Sequence, residues 1–413
     1  MKHLLIISFD LIKENEPPIS FSIASIMASL KTDESYKVDF DFLHVSFNLL
    51  QEKFIEAEYF FNKIKNEINY KDFDFIALSA YVWSEFLLNK FIDKIIKDGY
   101  SGKIILGGNQ ITNDIDLEKT YPNSDIFIIG YAETAIREAI KNKYDYPIRL
   151  NSKNDIENFK SPYITGIYSK NEQYSNLRTE TKRGCLYNCD YCAHVDLIDR
   201  GVIQLDCERV VKDIEILKEF QVERINIIDP VFTHGDNFSK YLDELKRSKI
   251  QSIIKIQSRF EFFSTDSNYD TVQKLRNIKS HVELGVQTII PKESKAIGRY
   301  SSKKNIIEGV KNLIEANISF EVSLIYGLPF QTLESFKETI HFLEDIGCDN
   351  IKAFPLMLLR GTKLYLNKNN FGLKEKKIGN LQIPYVVESA SFSENEWIKM
   401  NDLVNLKFNQ NVI

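Results

Sequence analysis

Several features are scarce in this sequence, and each shortage excludes a class of protein. Only 17 Gly and 10 Pro occur in 413 residues, too few for a collagenous or low-complexity chain. No apolar run approaches the roughly 18 residues that cross a bilayer. The opening Leu4-Leu5-Ile6-Ile7 stretch stops at Asp10, so neither a membrane anchor nor a secretory leader is read and a cytoplasmic location is expected. Charge of one sign is missing as well. The 53 Lys and Arg face 58 Asp and Glu, a formal net charge of -5, which gives no overall field for holding nucleic acid. Cysteine is limited to five residues, of which Cys185, Cys189 and Cys192 share one short window while Cys207 and Cys348 stand alone. An odd, clustered set is no disulfide framework and points to ligation of a metal or cluster.

What is present is a core-forming chain, 43% hydrophobic and 12% aromatic, long enough for two or three domains. In the first part, short apolar runs at 3–9, 38–43, 75–79, 103–106 and 126–129 alternate with helical patterns such as 91–96. That alternation predicts an α/β domain over 1–150, a doubly wound, Rossmann-like parallel sheet. Ser79, Gly107, Gly108 and Gly130 fall at or just past strand ends, where open α/β sheets hold ligands. A polar stretch over 151–176, with Lys153, Asn154, Asp155, Glu157, Ser161 and Pro162, reads as a linker. From 177 to 365 the alternation resumes, with strands expected at 178–182, 224–228, 253–257, 282–286, 320–325 and 351–355. Six βα units predict a partial (β/α)6 TIM-type barrel with its chemistry at the C-terminal strand ends. A helix expected over 302–316 carries Ile306, Ile307, Val310, Leu313 and Ile314 as its apolar stripe, and another is expected over 333–346. Residues 366–413 form a small C-terminal appendage with a helix after Ser393.

The loop after the first strand of the second domain reads Arg183-Gly184-Cys185-Leu186-Tyr187-Asn188-Cys189-Asp190-Tyr191-Cys192-Ala193-His194. Structural zinc takes four ligands, usually two spaced pairs, and the second pair is missing here, although His194 is available as a fourth ligand. Three thiolates on one tight loop suit a 4Fe-4S cluster that keeps one iron for an outside ligand. The spacing, with aromatic Tyr191 beside the third cysteine, resembles the signature of the radical S-adenosylmethionine (SAM) enzymes. The likeness continues through Val282-Glu283-Leu284-Gly285-Val286-Gln287, Ile297-Gly298-Arg299 and Ile325-Tyr326-Gly327-Leu328-Pro329. It implies that Cys185, Cys189 and Cys192 ligate the cluster, whose free iron chelates SAM, and that cleavage of SAM yields a deoxyadenosyl radical. It further implies that Gln287 reaches the SAM ribose, that Arg299 holds its carboxylate, and that Tyr191 and Glu283 belong to the same site. Two departures stand out. Ile228-Asp229-Pro230 replaces the usual Gly-Gly-Glu that holds the SAM amine, leaving the Asp229 side chain or nearby carbonyls as candidates, and Ser323 stands where some relatives have an acidic ribose ligand.

The first domain resembles the cobalamin-binding domain that precedes the barrel in one radical SAM class, through Glu16-Pro17-Pro18-Ile19-Ser20, Ser79-Ala80-Tyr81-Val82-Trp83, Gly107-Gly108 and Gly130-Tyr131-Ala132-Glu133. The resemblance implies that Ser79, Gly107, Gly108 and Gly130 let a corrin and its tail approach the backbone. The Asp-x-His-x-x-Gly loop of many such domains is here Asp10-Leu11-Ile12-Lys13-Glu14-Asn15, without histidine. His44 lies outside that motif and reads as a packed strand-end residue, so cobalamin is expected without a protein imidazole. Cys207, Cys348, Trp83 and Trp397 read as packing residues. The family likeness implies a methyltransferase acting on an unactivated carbon of a small molecule or short peptide, driven by a flavodoxin- or ferredoxin-type reductant, with no nucleic-acid or membrane partner. Radical rearrangement, cyclisation, epimerisation or dehydrogenation, and a non-catalytic iron-sulfur or cobalamin sensor, are the alternatives. No catalytic side chain beyond the cofactor set is named.

Overall fold

The computed structural model describes residues 1–151, 159–194 and 201–410. Of the expected linker, Lys153, Asn154, Asp155 and Glu157 lie outside the described residues. The described residues divide into two compact units, one of 1–151, 159–174 and 380–383, the other of 175–194, 201–379 and 384–410.

The first unit runs β1 (Lys2–Asp10), α1 (Phe21–Lys31), β2 (Phe40–Asn48), α2 (Ala57–Glu67), β3 (Phe75–Ser79), α3 (Glu85–Lys97), β4 (Lys103–Gly107), α4 (Leu117–Thr120), β5 (Ile126–Ile129), α5 (Ala132–Lys141) and β6 (Ile148–Asn151). Its strands form one sheet in the order β2-β1-β3-β4-β5-β6, every pair parallel. The order reverses between β1 and β3, the kind of switch point at which doubly wound sheets open a crevice. Both faces are apolar, because crossover helices cover both. Leu5, Ile7 and Phe9 join α2 and α3 residues such as Phe60 and Phe91 in one core cluster, while Leu4 and Ile6 join Ile23, Ile136 and Ile140 in another. Phe9 is the hub of the first cluster, with ring centroids 5.6, 5.3 and 5.5 Å from Phe47, Phe60 and Phe91. Strand β6 was not expected from the sequence. Of its four residues only Leu150 is buried, so it lacks the apolar run that marks the other five.

The second unit runs β7 (Asn176–Thr179), β8 (Lys182–Arg183), β9 (Ile203–Gln204), α6 (Cys207–Phe220), β10 (Arg224–Ile227), α7 (Phe238–Ser248), β11 (Ile253–Ser258), α8 (Phe260–Phe263), α9 (Tyr269–Arg276), β12 (Ser280–Gln287), α10 (Pro291–Ala296), α11 (Lys303–Glu315), β13 (Ser319–Tyr326), α12 (Leu333–Asp345) and β14 (Ile351–Pro355). After these come α13 (Lys363–Leu366), β15 (Lys374–Ile378), β16 (Ile383–Glu388) and α14 (Glu394–Phe408). The main sheet has the order β14-β13-β12-β11-β10-β7. Each strand is parallel to its neighbour, which is the sequential arrangement of an incomplete (β/α) barrel. Here only one face is apolar, with Leu177, Ile225, Ile254, Ile256, Val282, Leu284, Val322 and Leu324 buried.

Helix α11 corrects the expected stripe. Ile306, Val310 and Leu313 are buried together with Gly309, whereas Ile307 and Ile314 are 44% and 52% exposed. A stripe of i, i+4 and i+7 positions suffices to seat the helix. The terminal helix α14 starts with a capping box between Ser393 and Glu396 and buries Trp397, Met400 and Val404. Among the described residues no helix is long and apolar enough to cross a membrane.

Candidate active site

The cysteine loop is closed at its neck by the antiparallel pair β8–β9, with Arg183 opposite Ile203. Gly184 turns the chain at φ +81, where a Cβ would collide with the Gly201 carbonyl, so only glycine fits. Farther along, the Asp190 amide donates to the Ile297 carbonyl at 2.9 Å and the Leu364 amide donates to the Asp190 carbonyl at 2.8 Å. Gly298, at φ +60, allows that approach, since a Cβ there would meet Asp190 Oδ1 at 2.8 Å. The guanidinium of Arg259 stacks 3.9 Å from the Tyr187 ring centroid and is itself paired with Glu261 at 3.1 Å.

The loop walls a cavity of about 190 Å³ at the C-terminal ends of the second sheet. Cys185, Cys189, Tyr191 and Cys192 line it together with Gln257, Arg259, Glu283, Gln287, Arg299 and Ser323. Gln287 is aimed there by a bulge in β12, where the register with β13 shifts between Gly285 and Gln287. It adopts φ +68, a strained conformation for a residue with a side chain. Gly285 makes room for the side chains, because a Cβ would collide with Gln287 Nε2 and press on Arg299 Nη2. Arg299 donates to Cys189 Sγ at 3.7 Å and to the Gly285 carbonyl. Gln287 Oε1 and Arg299 Nε are buried without a hydrogen-bond partner, an arrangement that costs free energy unless a ligand supplies one. Burial pushes the Cys192 thiol up to about 11. It also raises Cys185, although Arg259 and Arg299 pull the other way. These thiols become thiolates when a cation displaces their protons. Among the described residues no three Cys, His, Asp or Glu side chains converge on one metal ion. His194 is exposed, and its amide reaches Cys192 Sγ at 3.5 Å.

One expected ligand is withdrawn from the cavity. Asp229 is fully buried, and its carboxylate accepts from the Thr181 amide at 2.7 Å, from Thr181 Oγ1 at 2.5 Å and from the Lys182 amide at 3.3 Å. Burial raises it to about 6 against the opposing Lys182 charge. Its neighbours Pro230 and Val231 reach the cavity instead. Asp229 thus ties the end of β10 to the strand that leads into the cysteine loop. Sequence reading missed Arg259, Gln257 and Tyr187. Their only signal was a position at the end of β11 or inside the loop, and the sequence does not say which polar residues there turn inward.

The C-terminal ends of the first sheet carry hydroxyls and glycines. Ser79 is buried and its Oγ has no partner, and the hydroxyl oxygens of Ser20, Ser25, Thr112 and Thr134 are likewise buried without one. Gly108 has φ +111 and faces the Ala80 carbonyl so closely that a Cβ would lie 2.6 Å from it, whereas a Cβ on Gly107 would make only ordinary contacts. Gly130 also has positive φ, at +87. His44 bonds Ser8 Oγ at 2.9 Å, and Asp10 accepts from Ser8 and Ser46 at 2.5 and 2.8 Å. Burial pushes His44 down to about 4. Trp83 donates to the Phe9 carbonyl at 2.9 Å and stacks on Tyr81 at 4.6 Å.

An incomplete parallel barrel with three cysteines on the loop after its first strand, over a cavity holding two guanidinium groups, is the architecture of an iron-sulfur enzyme that binds a charged small cofactor. The model of the Radical SAM superfamily matches residues 179–343, a stretch whose described residues lie within the second unit and include the cysteine loop. The tRNA-2-methylthio-N(6)-dimethylallyladenosine synthase of Fusobacterium nucleatum subsp. nucleatum is 24% identical over 298 residues, covering 69% of this chain and 66% of that protein. The 2-(S-pantetheinyl)-carbapenam-3-carboxylate methyltransferase of Streptantibioticus cattleyicolor is 25% identical over 330 residues, covering 70% of this chain. This chain therefore spans about two thirds of the first relative and 47% of the second. Among solved structures, the radical SAM methyltransferase TsrM of Kitasatospora setae aligns with a TM-score of 0.69 at 12% identity, over 97% of this chain and 88% of its own. The cobalamin-dependent SAM radical enzyme OxsB aligns at 0.71 and 14% identity, over 97% of this chain and 66% of its own. These likenesses establish the α/β fold of both units: a doubly wound sheet followed by a partial barrel.

Proposed function

We propose that the protein is a cobalamin-dependent radical SAM methyltransferase that methylates an unactivated carbon of a small metabolite or short peptide. The observation that supports this reading best is the joint presence, in one chain, of a three-cysteine cavity with unpartnered Gln287 and Arg299 atoms and of a second parallel sheet whose ends offer small, unpartnered groups. Cys185, Cys189 and Cys192 would hold a 4Fe-4S cluster. Gln287 and Arg299 would hold SAM, the guanidinium matching a carboxylate with charge-assisted hydrogen bonds. Ser79, Gly107, Gly108 and Gly130 would seat cobalamin, with hydroxyls available for amide groups and no side chain blocking the backbone. When bound, these groups supply a carbon-centred radical and a transferable methyl group, with the electron coming from a flavodoxin- or ferredoxin-type reductant. His44 is engaged by Ser8 and kept neutral, so its place is in the packing of β1 against β2, and the cobalt would lack a protein imidazole.

The deciding experiment is anaerobic turnover with methyl-labelled SAM and a reductant. Methyl transfer predicts both S-adenosylhomocysteine and deoxyadenosine, together with a base-off cobalamin spectrum that His44→Ala leaves unchanged. Deoxyadenosine from protein that binds no cobalamin would replace methylation with rearrangement or hydrogen abstraction.

A further inference from the structure

Lysine gathers around the cysteine loop, although the chain as a whole has a formal net charge of -5. Residues 291–304 carry Lys292, Lys295, Lys303 and Lys304, all exposed, and their one acid, Glu293, is fully buried. Residues 360–377 hold five lysines and Arg360 against Glu375 alone. Part of this charge is matched from elsewhere, Lys303 by Glu338, Lys363 by Asp190 and Lys368 by Glu375. Lys292 and Lys295 are in no ion pair among the described residues. They stand three apart on α10, so they share one face of it.

Both segments touch the loop. The Asp190 amide donates to the Ile297 carbonyl just past α10, and the Leu364 amide of α13 donates to the Asp190 carbonyl. Arg259, stacked on Tyr187, also donates to the Tyr300 carbonyl at 3.3 Å. Around this frame apolar side chains stand in solvent, with Leu186 59%, Tyr300 68% and Leu366 62% exposed. Phe330 extends the patch toward α10. Gln331 is fully buried; its Oε1 accepts from the Gly327 and Leu328 amides and its Nε2 donates to the Ile325 carbonyl. The turn so fixed holds the exposed Phe330 at φ +66, a strained conformation for a bulky residue. Its ring lies 4.1 Å from Lys292 Nζ and 5.6 Å from the Phe371 ring.

Exposed leucine and aromatic side chains bordered by charge are the make-up of a protein interface. Place and sign specify the partner. Leu186 is one residue from Cys185, about 3.8 Å along the chain, so a protein resting here comes close to the thiols without entering the cavity. We infer that this face docks an acidic protein that carries one electron. The inference rests on the cluster-binding role proposed above for Cys185, Cys189 and Cys192. One electron leaves the carrier's reduced centre and is taken up at the cysteine loop, the carrier is oxidised by that electron, and no bond or proton is exchanged. Repulsion between two acidic proteins does not prevent this, because exposed charges farther than about 10 Å are screened at 0.1 M salt, whereas Lys292 and Lys295 meet the carrier's carboxylates directly.

The test uses full-length, cluster-reconstituted protein and a flavodoxin as the acidic carrier, with calorimetric titration at low and at high salt. Binding at low salt is expected to weaken about tenfold or more at high salt. Lys292→Glu/Lys295→Glu should weaken it by about tenfold or more at low salt, while Lys90→Glu/Lys97→Glu, the same change of total charge on α3 of the first unit, should stay within about twofold. Leu366→Gln should weaken binding at both salts, and circular dichroism and iron content verify the fold of each variant. Deoxyadenosine formation driven by flavodoxin should fall in Lys292→Glu/Lys295→Glu, whereas formation driven by dithionite, a small reductant that needs no docking, should not. Flavodoxin binding that ignores salt, equal losses in the two lysine pairs, or a full flavodoxin-driven rate in Lys292→Glu/Lys295→Glu overturns the inference. So does a dimer in sedimentation that Leu366→Gln breaks, which would give the face to a second copy of the chain. Lack of deoxyadenosine with dithionite, beside intact site-specific flavodoxin binding, sinks the radical reading alone; deoxyadenosine with dithionite but no such binding sinks the docking face alone.

Discussion

Both units are built on six parallel strands, but their sheets are used differently. The first buries apolar side chains on both faces, Leu5, Ile7 and Phe9 on one and Leu4 and Ile6 on the other, and carries its glycines and unpartnered Ser79 at the strand ends. The second buries one face and leaves the other lined by Lys255, Glu283, Glu321 and Lys352. The difference follows from closure. A flat sheet with helices on both sides has no lumen to furnish, while a curved sheet of six strands leaves an inner surface that water and ligand can reach. The first unit therefore offers a ligand its rim, and the second its interior.

The sharpest break in that contrast comes from the cysteine loop. Cys185→Ala, Cys189→Ala or Cys192→Ala should each abolish SAM cleavage and lower iron content from about four per chain, measured by iron assay and deoxyadenosine yield. Zinc bound at the three cysteines in place of iron would remove the functional distinction between the two sheets. In the first unit the largest effect should come from packing. Phe9→Ala opens a cavity among Phe47, Phe60 and Phe91 and is expected to cost about 3–5 kcal/mol, seen as a lowered urea midpoint.

Smaller effects probe the polar groups of each unit. Arg299→Ala should weaken SAM binding roughly tenfold or more, the equivalent of about 1.5–3 kcal/mol for a charge-assisted contact, while the thiols still take up the cluster. Unchanged affinity would show that its unpartnered Nε serves another ligand. His44 gives a pH signature for the first unit. In the fold burial holds it down to about 4 from an ordinary value of 6.5, so the folded protein keeps it neutral while the unfolded chain takes up a proton. Its contribution is present above pH 6.5 and is lost as pH falls toward 4. Relative to His44→Asn, the wild type should lose about 2 kcal/mol between pH 7 and pH 5, read as converging urea midpoints.

Much of the fold was legible because its signals are local. Apolar runs marked five strands of the first sheet and six of the second, and Ser393 announced the last helix. Strand β6 escaped because a short edge strand with one buried residue has no pattern to read. Ile307 and Ile314 were misplaced because helical spacing says which residues share a stripe but not how wide a stripe the neighbouring strand covers.

The sequence by itself determined the cysteine loop, since cluster chemistry needs three thiols within a few residues of one another and no distant segment has to agree. It also determined the order of strands and helices, because hydrophobic period is a property of consecutive residues. Only the tertiary structure decided which polar residues face the cavity. Asp229 follows β10 as an expected ligand would, but the amides of Thr181 and Lys182, brought in from another strand, captured its carboxylate. Arg259 and Gln287 were turned inward by contacts of the same kind, a stack on Tyr187 and a bulge opposite β13. Direction at a strand end depends on partners remote in sequence, and those partners meet only when the barrel has curved.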